Sequence, residues 1–136
     1  MARIGKDQIL SADDTEYDTV KVPEWAEGDP EAYVRIRSMS GSERDRYEES
    51  CARLKNGQPV PNMVNARARL VAWTVVDDDG KREFSDSEIL KLGGKSSKAL
   101  DRVFEASAKL SGITPQDVEE LTADFESAQS ESATTE

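Results

Sequence analysis

Asp77, Asp78 and Asp79 stand immediately before Gly80, which brings the oxygen ligands and the glycine of a calcium loop together in one stretch. The register does not fit. With Gly80 as the sixth loop residue, the first ligand position falls on Val75, which has no side-chain oxygen, and the twelfth on Asp86 instead of a bidentate glutamate. Asp-Gly is also ordinary turn chemistry, because both residues tolerate left-handed backbone angles, and a turn is the better reading. Gly93-Gly94-Lys95-Ser96 ends like a phosphate-binding loop, yet Ile89 occupies the position of the first glycine and no apolar strand leads into it. A helix break followed by a serine cap accounts for those residues. Cys51 has no histidine anywhere in the chain to activate it and lies on an apolar helical stripe, which points to a small buried thiol and not to a nucleophile. With no histidine at all, acid-base catalysis would fall to paired carboxylates, and 28 acidic residues make chance pairs inevitable. No enzyme, cofactor or metal site is expected.

What remains is binding chemistry. Arg35, Arg37, Arg44, Arg46, Arg53, Arg67 and Arg69 gather positive charge in the first half of the chain, between acidic ends. A net charge of -10 and the lack of basic-aromatic interleaving argue against nucleic acid, so these arginines read as a solvated face or a dock for an acidic segment. Trp25, after a proline in an acidic loop, has the makings of a partner anchor, whereas Trp73 belongs in the core. Trp25, Tyr33, Arg35, Arg37, Arg67 and Arg69 are therefore the candidate partner-binding residues.

The elements that must position them are those of one domain, since 136 residues support a single core without disulfides. The net charge repels phosphate backbones and anionic membranes alike, and no apolar run approaches a membrane span. A single cysteine suits a reducing compartment, and the N-terminus has no apolar signal core, so a cytoplasmic protein is expected. Residues 1–17 read as a flexible arm. Thr19 to Val22 and Tyr33 to Arg37 alternate like two half-buried strands, an antiparallel pair across a Gly- and Pro-containing loop. Ser40 and Glu43 have capping-box spacing and open a helix carrying Tyr47, Cys51 and Leu54, stopped by Asn56-Gly57. A second helix over 62–74 aligns Val64, Ala68, Val71 and Val75, with Leu70 beside them. Val75 to Phe84 reads either as a small hairpin or as a helix-ending turn. Ser85 and Glu88 cap a short helix through Leu92; Ser96 or Ser97 caps one with Leu100, Val103, Phe104, Ser107 and Leu110 on one face. Thr114-Pro115 opens a last helix with Val118, Leu121 and Phe125, and an acidic disordered tail follows over 127–136. The expected fold is mainly α: four to five helices with a short N-terminal antiparallel β pair, the domain proper covering 18–126.

The order KVPEW, YVRIRSMSGSERDRYE, NARARLVAWTVVDDDGKREFSDSEILKLGGKSSKALDRVFEASAKLSG and TPQDVEELTADF resembles the tail assembly chaperones of long-tailed, siphovirus-type bacteriophages, over roughly 18–126. The resemblance implies a small acidic non-enzymatic factor that coats the aggregation-prone tape-measure protein until tail-tube subunits polymerise around it. It also implies action in the host cell cytoplasm and absence from the mature virion. The tail-tube protein and further copies of the chain stand as additional candidate partners. Two other functions fit the same sequence: a minor tail or head-tail connector protein, and an acidic mimic that inhibits a basic host protein.

Overall fold

A computed structural model describes residues 1–61 and 65–113 of the chain. Its centre is built from the two alternating segments that the sequence marks. Strands β1 (Tyr17–Lys21) and β2 (Tyr33–Arg37) pair antiparallel, from Tyr17 opposite Arg37 to Lys21 opposite Tyr33. Val20 and Ile36 turn inward, while the alternate positions carry Tyr17, Thr19, Tyr33 and Arg35 on the other face. Before β1, helix α1 (Lys6–Ser11) occupies part of the arm, and none of its residues is buried.

Helix α2 (Gly41–Ser50) starts at the capping box as the spacing predicts: Glu43 N donates to Ser40 Oγ at 3.2 Å, and Ser40 N donates to Glu43 Oε1 at 3.0 Å. It ends sooner than its apolar stripe suggests. Leu54 lies in β3 (Ala52–Lys55), which pairs with β4 (Gln58–Pro61) as a hairpin. Asn56 (φ 54°) and Gly57 (φ 78°) both take positive φ, so the pair expected to stop a helix instead makes a two-residue turn whose twist suits paired strands. Tyr47 and Cys51, the rest of the stripe, are buried as expected.

Helix α3 (Ala66–Thr74) is the central element, with Ala66, Ala68, Leu70, Val71, Ala72 and Thr74 all buried. Val64, expected on its stripe, lies outside the described residues. The helix runs without a loop into β5 (Val75–Val76), where two β-branched residues favour extended backbone and pair with β2 through Ile36 and Arg35. After the turn, Arg82 returns beside Val76. The segment is thus both the end of a helix and a hairpin, and the expected two-stranded pair becomes a three-stranded sheet of order β1-β2-β5.

A short 3-10 turn (Asp86–Glu88) with the second capping box leads into α4 (Ile89–Gly93), and α5 (Ser97–Leu110) packs along α3. Two buried clusters result. One joins Val20, Val22 and Ile36 of the sheet to Val71, Leu92, Leu100 and Val103; the other holds Met39, Tyr47, Cys51, Leu70 and Ile113. Trp73 and Phe104 touch both and make them one core. Between α3 and α5, Thr74 Oγ1 lies 2.8 Å from the Leu70 carbonyl oxygen and 2.9 Å from Ser107 Oγ, which satisfies two fully buried hydroxyls. The helix expected from Thr114 and the tail beyond it lie outside the described residues.

Candidate protein-binding face

The loop after β1 is rich in acid, Gly and Pro, and it folds back through a 3-10 turn over Pro23–Trp25, a proline placed where its missing amide costs nothing. Arg102 on α5 fixes this turn. Its Nη1 and Nη2 donate to Glu24 Oε1 and Oε2 at 2.9 and 2.8 Å, and Nη1 also donates to the Lys21 carbonyl oxygen at 3.2 Å. These bonds hold the Glu24 carboxyl down at about 2. Trp25 is thereby laid half-buried on the core, against which Val34 and Phe84 also pack.

Trp25 and Phe84 form a common wall between two grooves. One, of about 670 Å³, is lined by Leu92, Glu24, Glu27, Glu88, Lys91 and Lys95 among others. The second, of about 370 Å³, has Val34, Val75 and Val76 as its apolar residues, Tyr33 and Arg35 from β2, and a rim of Asp77, Asp78 and Glu83. Tyr33 is 59% exposed. The face offers apolar and aromatic surface framed by carboxylates, and that chemistry suits a protein segment. It holds no nucleophile-base pair, and no group of three or more His, Cys, Asp or Glu is arranged for a metal among the described residues.

The family model for phage tail assembly chaperones matches residues 6–128. The chain belongs to that family. No curated protein and no solved structure matches it. Its role is thus that of a chaperone in tail assembly within the infected cell, in a family that is not one of enzymes. Among its described residues, no helix is long and apolar enough to cross a membrane.

The six candidate residues do not form one patch in the chaperone. Trp25, Tyr33 and Arg35 line the smaller groove together. Arg35 is committed internally: its guanidinium sits 4.1 Å from the centroid of the Tyr17 ring, and Nη1 donates to the Asp77 and Asp78 carbonyl oxygens at 3.1 Å each. Arg37 is held by Glu43 and the Trp73 carbonyl. Arg67 pairs with Asp101 at 2.7 Å, and Arg69 donates to Ser50 Oγ at 3.1 Å, and neither lines either groove. The aspartate run acts as turn chemistry: Asp77 Oδ1 accepts the Asp79 and Lys81 amides at 2.9 and 3.0 Å. Cys51 is buried and its thiol is pushed up by that burial, so it is a core residue.

Phe84, Leu92 and the Glu24–Arg102 clamp belong to the face and escaped the sequence reading as site residues. Phe84 carried one signal, its place after the Asp-Gly turn, where the chain returns past β5 through the Val76–Arg82 bridge and the Glu83 amide on the Val75 carbonyl. The clamp joins residues 78 positions apart, and no local pattern announces such a pair.

Proposed function

We propose that this chaperone binds the tape-measure protein and keeps it in solution during tail morphogenesis, and that the face around Trp25, Tyr33 and Phe84 grips it. The observation that carries the reading is the pair of apolar grooves sharing Trp25 and Phe84, an arrangement that accepts side chains from successive turns of an amphipathic helix. The -10 net charge supports it, because a coated client inherits the repulsion that prevents its aggregation. Contacts of this kind are shallow and replaceable, which suits a factor displaced by tail-tube subunits and absent from the mature virion. Co-expression with the tape-measure protein tests the reading. Soluble client that co-purifies with the chain is the expected result; client that stays insoluble and fails to co-purify would refute it, and abundant peptides of this chain in purified virions would favour a structural subunit.

A further inference from the structure

Between β1 and β2 the chain leaves the body and returns at one neck, where Val22 N donates to the Ala32 carbonyl oxygen at 3.0 Å. The residues enclosed, 23–31, bond among themselves. Gly28 N donates to the Pro23 carbonyl oxygen at 2.9 Å, Asp29 N to that of Ala26 at 3.0 Å, and Glu31 N to Asp29 Oδ1 at 2.9 Å. Residues 26–31 are exposed, and Trp25 is the only large apolar side chain of the segment. Among the described residues, its only hydrogen bonds to the rest of the fold beyond the neck are those of Glu24 with Arg102. The exposed Lys21–Glu31 pair, at 3.8 Å, sits at the neck itself. A segment with so few ties opens as a unit more readily than the core beside it.

Trp25 lies part-buried against the core and lines both grooves, yet its Nε1 is buried with no hydrogen-bond partner. Burial of the ring favours the closed position, and the unpaired donor opposes it, because a buried N–H without an acceptor forgoes the bond that water or a partner carbonyl would supply. The bidentate contact of Glu24 with Arg102, one residue away on the same turn, tips that balance. We infer that residues 23–31 form a flap, hinged at Val22 and Ala32 and latched by Arg102 on Glu24, whose opening lifts Trp25 from the wall between the grooves so that one client helix can run across Phe84 through both. Trp25 then seats on the client instead of on its own core, with its N–H free to meet a client acceptor. Arg102 is thus a positioning residue for the anchor. The entry of the client rests on the reading that this face grips the tape-measure protein, whereas the flap is a property of the chain alone.

Hydroxyl-radical footprinting of the full-length chain without client tests the flap, because two tryptophans report from one molecule, Trp25 on the flap and Trp73 in the body. Arg102→Gln and Glu24→Gln each break the latch from one side. Trp25 oxidation should rise about threefold or more in both, the effect an exposed ion pair has on a two-state balance, while Trp73 keeps its wild-type rate and circular dichroism is unchanged. No change at Trp25 in either variant would overturn the latch. Trp25 and Trp73 rising together would overturn the flap, since the pair would then be holding the fold as a whole. Either failure is distinct from failure of the client reading, which shows as undiminished capture of tape-measure protein by a chain lacking the Trp25 and Tyr33 side chains.

Discussion

Arg37 ties three parts of the fold together through one guanidinium. Nη1 and Nη2 reach Glu43 Oε1 and Oε2 at 2.8 and 2.6 Å, and Nη2 also donates to the Trp73 carbonyl oxygen at 3.0 Å, joining β2, the cap of α2 and the end of α3. Arg37→Ala leaves Glu43 and that carbonyl short of donors in a partly buried place, and should cost about 2 kcal/mol in urea denaturation. The same bonds, with the Ser40 amide, hold the Glu43 carboxyl down at about 2. A depressed carboxylate contributes stability that is fully present above its unfolded value, roughly 4.3, and is lost as pH falls through the folded one. The melting temperature should therefore drop between about pH 4.3 and 2, and Glu43→Gln should flatten part of that drop. At Gly80, φ is +81°, and an added Cβ would also press on the Tyr17 hydroxyl oxygen at 3.1 Å. Gly80→Ala should cost about 1–2 kcal/mol by the same denaturation measurement.

Among elements, those with a local chemical signal were legible in the sequence. Both capping boxes start helical structure where Ser40-Glu43 and Ser85-Glu88 place it, and the α5 stripe buries Leu100, Val103 and Ser107. The elements misread are those that local pattern leaves undecided. Tyr47, Cys51 and Leu54 fit a helix, yet Asn56-Gly57 favours a hairpin turn, and pairing of Ala52–Lys55 with Gln58–Pro61 ends the helix at Ser50. Val75 to Phe84 is a different case, open in the sequence between a hairpin and a helix-ending turn and decided by β2, which lies alongside Val75-Val76 and pairs with it. In the candidate face, Trp25 and Tyr33 were visible as aromatics among acids, whereas the arginines, conspicuous as charge, are occupied by partners distant in sequence. The cap of α2 gives an element-scale prediction: Ser40→Ala should destabilise the chain by about 1 kcal/mol in thermal unfolding. The α3–α4 contact gives another. A Cβ on Gly93 would run into the Asn65 side-chain oxygen, while Asn65 itself holds φ 58° at the start of α3. Gly93→Ala should therefore change stability by no more than about 1 kcal/mol by denaturation, because the Asn65 side-chain end can swing aside and alanine favours the helix.

For the whole molecule, a mainly helical body carries a small sheet, and one side of it bears apolar grooves within an acidic surface. A strong net charge opposes aggregation of such a surface, and on the proposed reading the grooves are where the client is held. The face and the arginines of α3 are separate, so they can be tested apart. The most direct measurement is the amount of tape-measure protein retained by affinity-tagged chain after co-expression, comparing wild type with Trp25→Ala/Tyr33→Ala and with Arg67→Ala/Arg69→Ala, each confirmed folded by circular dichroism. Retention should fall about tenfold or more when the aromatics are removed, since truncating central anchors costs at least 1–2 kcal/mol, and should change little when the α3 arginines are removed. Undiminished capture by the Trp25→Ala/Tyr33→Ala chain would contradict the claim that this face grips the client.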